Sequence, residues 1–107
     1  MSTTTHPIRG KTLSLTFKDG QMAGKTIAHA FHSDGSLDFY PADTPEKKSH
    51  VDHYEVAKVN DDVYAVSYLG SSGYTLSMVL NFADADLIAF SSNDKMMQMQ
   101  HGSFAAG

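Results

Sequence analysis

The run Tyr74-Thr75-Leu76-Ser77-Met78-Val79-Leu80-Asn81-Phe82 decides how the chain is read. Tyr74, Leu76, Met78, Leu80 and Phe82 alternate with Thr75, Ser77, Val79 and Asn81. Period two is the signature of a strand with one face in a core. Upstream, Leu69-Gly70-Ser71-Ser72-Gly73 separates this run from a second one over 63–68. A five-residue loop there pairs Tyr68 with Tyr74, Val66 with Leu76 and Tyr64 with Met78, so all six share one face. Carrying the parity back across Asn60-Asp61-Asp62 gives Tyr54 and Val56 the same face. Carrying it forward gives Ile88 and Phe90. A last strand over about 95–101 then contributes Met97 and Met99.

The first half repeats the pattern. Leu13, Leu15 and Phe17 alternate with Thr12, Ser14 and Thr16, and Lys18-Asp19-Gly20 supplies a turn. Ile27, His29 and Phe31 alternate with Ala28, Ala30 and His32 before Ser33-Asp34-Gly35. A two-residue Asp34-Gly35 loop would set Phe31 opposite Asp38. A three-residue loop with Gly35 in the left-handed position pairs Phe31 with Leu37 and His29 with Phe39. The second register joins apolar partners and turns His29 inward. A further strand is expected over 51–59. The only place for a helical turn is 44–49, with Pro45 at its first position. About eight short strands with tight turns predict an all-β, antiparallel up-and-down barrel, because closure removes exposed edges. A barrel of eight is either filled by side chains or holds one small ligand.

The whole chain has 107 residues and a mass of 11.6 kDa, the size of one domain. Residues 10–101 are read as that domain, 1–9 as a flexible arm and 102–107 as a flexible tail. The formal net charge of -4 makes a phosphate-backbone partner a poor fit, so no nucleic acid is expected. No run reaches ~18 apolar residues, so no membrane partner is expected. The polar start lacks a hydrophobic signal region, and a cytoplasmic location is expected. With no Cys, disulfides, thiol catalysis and thiolate metal sites are excluded.

Gly10-Lys11-Thr12-Leu13-Ser14-Leu15-Thr16-Phe17-Lys18-Asp19-Gly20 resembles the opening strand and turn of small lipocalin-like (calycin-type) barrels of the MoaF-like group. Asp62-Val63-Tyr64-Ala65-Val66-Ser67-Tyr68 with Gly73-Tyr74-Thr75-Leu76-Ser77 resembles their central hairpin, and the likeness spans most of 10–101. Phenolic acid decarboxylases, a related barrel family, carry a similar hairpin. Their two first-strand tyrosines match Leu15 and Phe17 here. Their hairpin Trp and proton-handling Glu match Tyr68 and Gly70. Their substrate Arg falls near Lys47 or His50, and the one Arg in this chain is Arg9. The resemblance implies the barrel and argues against that reaction, since the proton donor is missing.

Six His invite a metal reading, but His29-x-x-His32 and His50-x-x-His53 have the wrong spacing. Residues three apart on a strand point to opposite faces, and no metal or cofactor is expected. Glu55 is expected outside, beside His53. Asp84-Ala85-Asp86 is turn chemistry. Ser71-Ser72-Gly73 lacks the strand-turn-helix setting of a nucleophile elbow.

His29 has two readings: a core imidazole bonded to a Tyr or backbone group, or a polar anchor or base facing a ligand. Tyr54, Tyr64, Tyr68, Tyr74 and Met78 either fill the barrel or line a pocket with it. The leading expectation is a module that binds a small apolar or aromatic ligand inside the barrel. The alternative is a cofactor-independent isomerase, cyclase or lyase using His29 with Tyr64 or Tyr68. So short a chain can spare little packing, which favours a small or shallow pocket. A homodimer through a short edge or the Met-rich last strand would add burial.

Overall fold

The computed structural model describes residues 8–20, 22–70 and 73–106, and its described residues form nine strands. They are β1 (Thr12–Phe17), β2 (Thr26–Phe31), β3 (Leu37–Pro41), β4 (Ser49–Val51), β5 (Tyr54–Lys58), β6 (Val63–Leu69), β7 (Thr75–Asn81), β8 (Asp86–Ser92) and β9 (Met97–Ala106). One antiparallel sheet contains them in the order β4-β3-β2-β1-β9-β8-β7-β6-β5. This is a meander in which first and last strands pair and the ladder is interrupted between β4 and β5. The sheet curls far enough that His29 on β2 bonds Tyr68 on β6, with β1, β9, β8 and β7 between them along the wall. The result is a nearly closed up-and-down barrel. Among the described residues no helix is long and apolar enough to cross a membrane.

The β2–β3 hairpin takes the three-residue loop: Phe31 faces Leu37 and His29 faces Phe39. Gly35 has φ 97°, and the Asp34 carboxylate accepts from the Ser36 N–H at 2.9 Å. The β6–β7 faces agree with expectation, but the register slips by two residues, so Tyr68 faces Leu76 and Val66 faces Met78. The strand expected over 51–59 breaks at Asp52 and His53 into β4 and β5, which lie at opposite ends of the sheet order. The seam between them is bridged through Tyr54, whose N–H donates to Gly35 O at 3.0 Å and whose hydroxyl donates to His32 O at 2.9 Å. Residues 44–47 form a turn, with Lys47 N–H to Thr44 O at 3.0 Å, in place of the helical turn.

Three expectations need correction. Ile88, Phe90, Met97 and Met99 point outward, at 36%, 40%, 75% and 50% exposure, while Leu87, Ala89, Gln100 and Phe104 point inward. The cause is the four-residue loop Phe82-Ala83-Asp84-Ala85, which sets Leu80 opposite Leu87 and Met78 opposite Ala89, reversing the parity carried forward from β7. The expected tail is largely strand: β9 runs to Ala106 and pairs with β1, Phe17 facing Gly102 and Leu15 facing Phe104. Of the expected arm, residues 1–7 lie outside the described residues. Ile8 is fully buried and Arg9 sits 5.7 Å from the Tyr54 ring centroid, so both belong to the domain.

Gly102 permits the β1–β9 approach. A Cβ there would lie 2.2 Å from Thr16 O and 3.2 Å from Phe17 Cα, backbone atoms that cannot swing aside. Gly102→Ala is expected to destabilise by about 2 kcal/mol through overpacking, read as a lower urea midpoint; an unchanged midpoint would contradict the close approach.

Candidate functional site

Most of the barrel interior is filled. Leu13, Leu15, Val66, Met78, Leu80 and Leu87 are each at most 1% exposed. Tyr54 packs edge-on against Phe31 at 5.1 Å between centroids, and Tyr64 against Phe82 at 5.8 Å. Tyr54, Tyr64 and Met78 are therefore packed in the core, the first of the two places open to them, and do not line the cavity described next. All three share the inner face, and their side chains pack among the buried apolar residues.

The filling stops short of one region. A half-open cavity of about 450 Å³ is lined by Phe17, Met22, Ile27, His29, Phe39, Pro41, Lys47, Ser49, Tyr68, Gly70, Tyr74, Leu76, Ser91, Gln98 and Gln100. It brings together His29, Tyr68 and Tyr74 of the expected residues, with Tyr74 at 39% exposure. Its volume falls within the ~300–1,000 Å³ usual for small-molecule sites. Apolar walls with few polar groups give such a space affinity for apolar matter and limited ways to orient it.

His29 is 2% exposed and Tyr68 7%. His29 lies between Phe31 and Phe39, with ring centroids 5.8 and 5.5 Å away and near-parallel planes. Its Nδ1 is 3.5 Å from Ile27 O, and its Nε2 is 2.9 Å from Tyr68 Oη. A carbonyl only accepts, so Nδ1 carries the proton and the Tyr68 hydroxyl donates to Nε2. Burial holds the His29 pKa down to about 4, against a smaller upward pull from the Ile27 carbonyl. Burial pushes the Tyr68 phenol well above its ordinary value. Both groups are neutral around neutral pH, and the bond leaves Tyr68 Oη with acceptor capacity only.

The other described histidines, His32, His50, His53 and His101, pair outside the lumen. His32 Nε2 and His50 Nδ1 bond the two oxygens of Asp38 at 3.0 and 2.7 Å, and His101 bonds Asp19. His53 pairs with Glu55 on the surface, as the alternation implied. The Asp38 hydrogen bond holds the His50 pKa above its ordinary value. Among the described residues no group of three or more His, Cys, Asp or Glu is placed to hold a metal.

Sequence reasoning missed Gln100. It is 3% exposed and lines the cavity, and among the described residues its Nε2 has no hydrogen-bond partner. The neighbouring methionines drew attention because apolar residues are usually inside. The available signal was the alternation Gln100, Gly102, Phe104 against Met99, His101, Ser103: the second set carries the more polar residues next to the last expected strand.

The family model of the MoaF N-terminal domain matches residues 1–95, a span that ends before Gln100. Among solved structures, a crystal structure described as a "putative beta-lactamase" from Burkholderia vietnamiensis is similar, at 22% identity and a TM-score of 0.79. The match covers 98% of this chain and 100% of that one. At that identity the likeness carries the fold alone. No curated protein matches this sequence.

The buried pair makes stability depend on pH. A folded-state His29 pKa near 4 against 6.5 in the unfolded chain means the unfolded state binds more protons between these values. Stability is then present above pH 6.5 and falls as pH drops toward 4, by roughly 3 kcal/mol from this group. In an NMR titration the His29 ring signals are expected to stay at neutral-imidazole shifts down to about pH 4, while His50 titrates above its ordinary value. A His29 midpoint near 6.5 would place the ring in water. Tyr68→Phe strands the buried Nε2 acceptor and is expected to cost about 1–3 kcal/mol in chemical denaturation.

Proposed function

This chain belongs to the MoaF family, and from that premise we propose that it is a lipocalin-like binding module for a small apolar or aromatic molecule. The observation that carries this reading is the half-open cavity walled by Ile27, Phe39 and Leu76, with the His29–Tyr68 pair set among them. A filled barrel acting only through its surface would have no use for an apolar recess beside the buried His29–Tyr68 pair. A ligand there would take apolar wall area out of water.

The enzyme alternative gains less support. A general acid–base pair works best with pKa values near the operating pH. Burial drives His29 down to about 4 and Tyr68 upward, so His29 is a weak base and Tyr68 a weak acid at neutrality. The same burial suits a pair that orients a bound molecule without exchanging protons with it.

2-Naphthol is a suitable probe of the apolar space. In amide NMR spectra its titration is expected to shift Ile27, Phe39, Leu76 and Tyr68, with dissociation in the millimolar range or tighter. Leu76→Trp, which fills the cavity from a half-buried wall position, is expected to abolish the shifts while the spectrum stays folded. Shifts confined to the outward Phe90 and Met99, or no shifts at all, would refute the binding reading.

A further inference from the structure

Among the described residues, the amide of Gln100 is the buried polar group left unanswered. Gln100 is 3% exposed and lines the cavity, and among the described residues its buried Nε2 has no partner. Leaving a buried donor unpaired carries a free-energy penalty, and native structures leave few such groups without a reason. The amide is also confined. Gly20, at φ 74° in the β1–β2 turn, packs so closely over it that a Cβ there would fall 2.7 Å from Gln100 Cγ and 2.9 Å from Nε2. On β8 the facing residue is Ala89, too small to reach across and polar nowhere in its side chain. Among the described residues the fold thus holds a buried donor with no protein acceptor within reach.

The rest of the lining defines what that acceptor is. Among the described residues the only ionic side chain on the cavity is Lys47, which lies in the exposed 44–47 turn. An anionic group carried down to Gln100 would lose its hydration to a neutral amide. A neutral carbonyl loses far less and matches the donor. Tyr68 offers no second donor, because its hydroxyl proton is held by His29 Nε2.

We propose that Gln100 is a specificity-determining residue that selects, within the apolar cavity, a neutral aromatic ligand bearing a carbonyl oxygen, which accepts a hydrogen bond from Nε2. The proposal rests on the binding reading above and adds the chemical class of the ligand to it. Preference for carbonyl-bearing molecules then comes from one neutral hydrogen bond, and carboxylates of similar shape are discriminated against.

Acetophenone, ethylbenzene and benzoate test it by NMR titration of the full chain. Wild-type protein is expected to bind acetophenone, with the Gln100 side-chain NH₂ resonances moving downfield, and to bind benzoate more weakly. The ratio of acetophenone to ethylbenzene affinity is expected to fall about tenfold in Gln100→Met, a comparison that cancels general hydrophobicity. Should Gln100→Met not fold, the wild-type NH₂ resonances decide: if they stay still while acetophenone occupies the cavity, the proposal is overturned. Equal affinity for acetophenone and ethylbenzene, or tighter binding of benzoate, overturns it too and leaves the cavity reading standing. Absence of cavity binding by all three overturns both.

Discussion

Pairing of β1 with β9 is the constraint on which the barrel depends. Five residues of β1, from Leu13 to Phe17, find partners on β9 between Gly102 and Ala106. Without that ladder the meander is two separate sheets, β2–β4 with β1 and β5–β8 with β9, each with its apolar face in water. The pairing demands that the two backbones meet where Gly102 passes Thr16, and the missing side chain makes room. It also fixes where β9 ends against β1, so that Gln100 emerges just past the β1 terminus, under Gly20, and not inside a ladder with it.

Once closed, the barrel sorts its polar groups by depth. Histidines on the outside are held by carboxylates in solvent reach, as His32 and His50 are by Asp38. The inner His29 meets only a carbonyl and a phenol. Neutral partners keep a buried imidazole uncharged without the cost of desolvating an ion. The lumen therefore presents uncharged hydrogen-bonding groups against aromatic walls, and the ionic chemistry of this acidic chain stays on the surface.

Much of this was legible from the residues alone, and the boundary of legibility has a physical cause. Ser33-Asp34-Gly35 announces its geometry: a glycine where the backbone turns left-handed and an Asp to cap the turn, so the facing of His29 followed. Phe82-Ala83-Asp84-Ala85 announces nothing comparable. The left-handed residue there is Ala85, at φ 62°, and the turn is held by the Asn81 and Asp84 side chains accepting from Ala83 and Asp86 N–H groups. Because strands have period two, misjudging that one loop by a single residue inverts every later side chain. Methionines went to the wrong face of β9 for this reason, and the inward glutamine was overlooked. The tyrosines were assigned the right face, but a shared face does not tell core from cavity. That distinction is set by depth along the barrel, which depends on strand stagger and is invisible to alternation.

The strand that completes this barrel, β9, is the last of the nine to be made. Chain growth delivers β1 through β8 before β9 exists, so a nascent chain carries its greasy interior unsheltered until residue 106 has been added. Closing the ring then joins segments about ninety positions apart, among the most distant contacts the polypeptide can make, and such topologies assemble slowly. A translation product that stops short of β9 would be an open trough with two raw borders, prone to clumping.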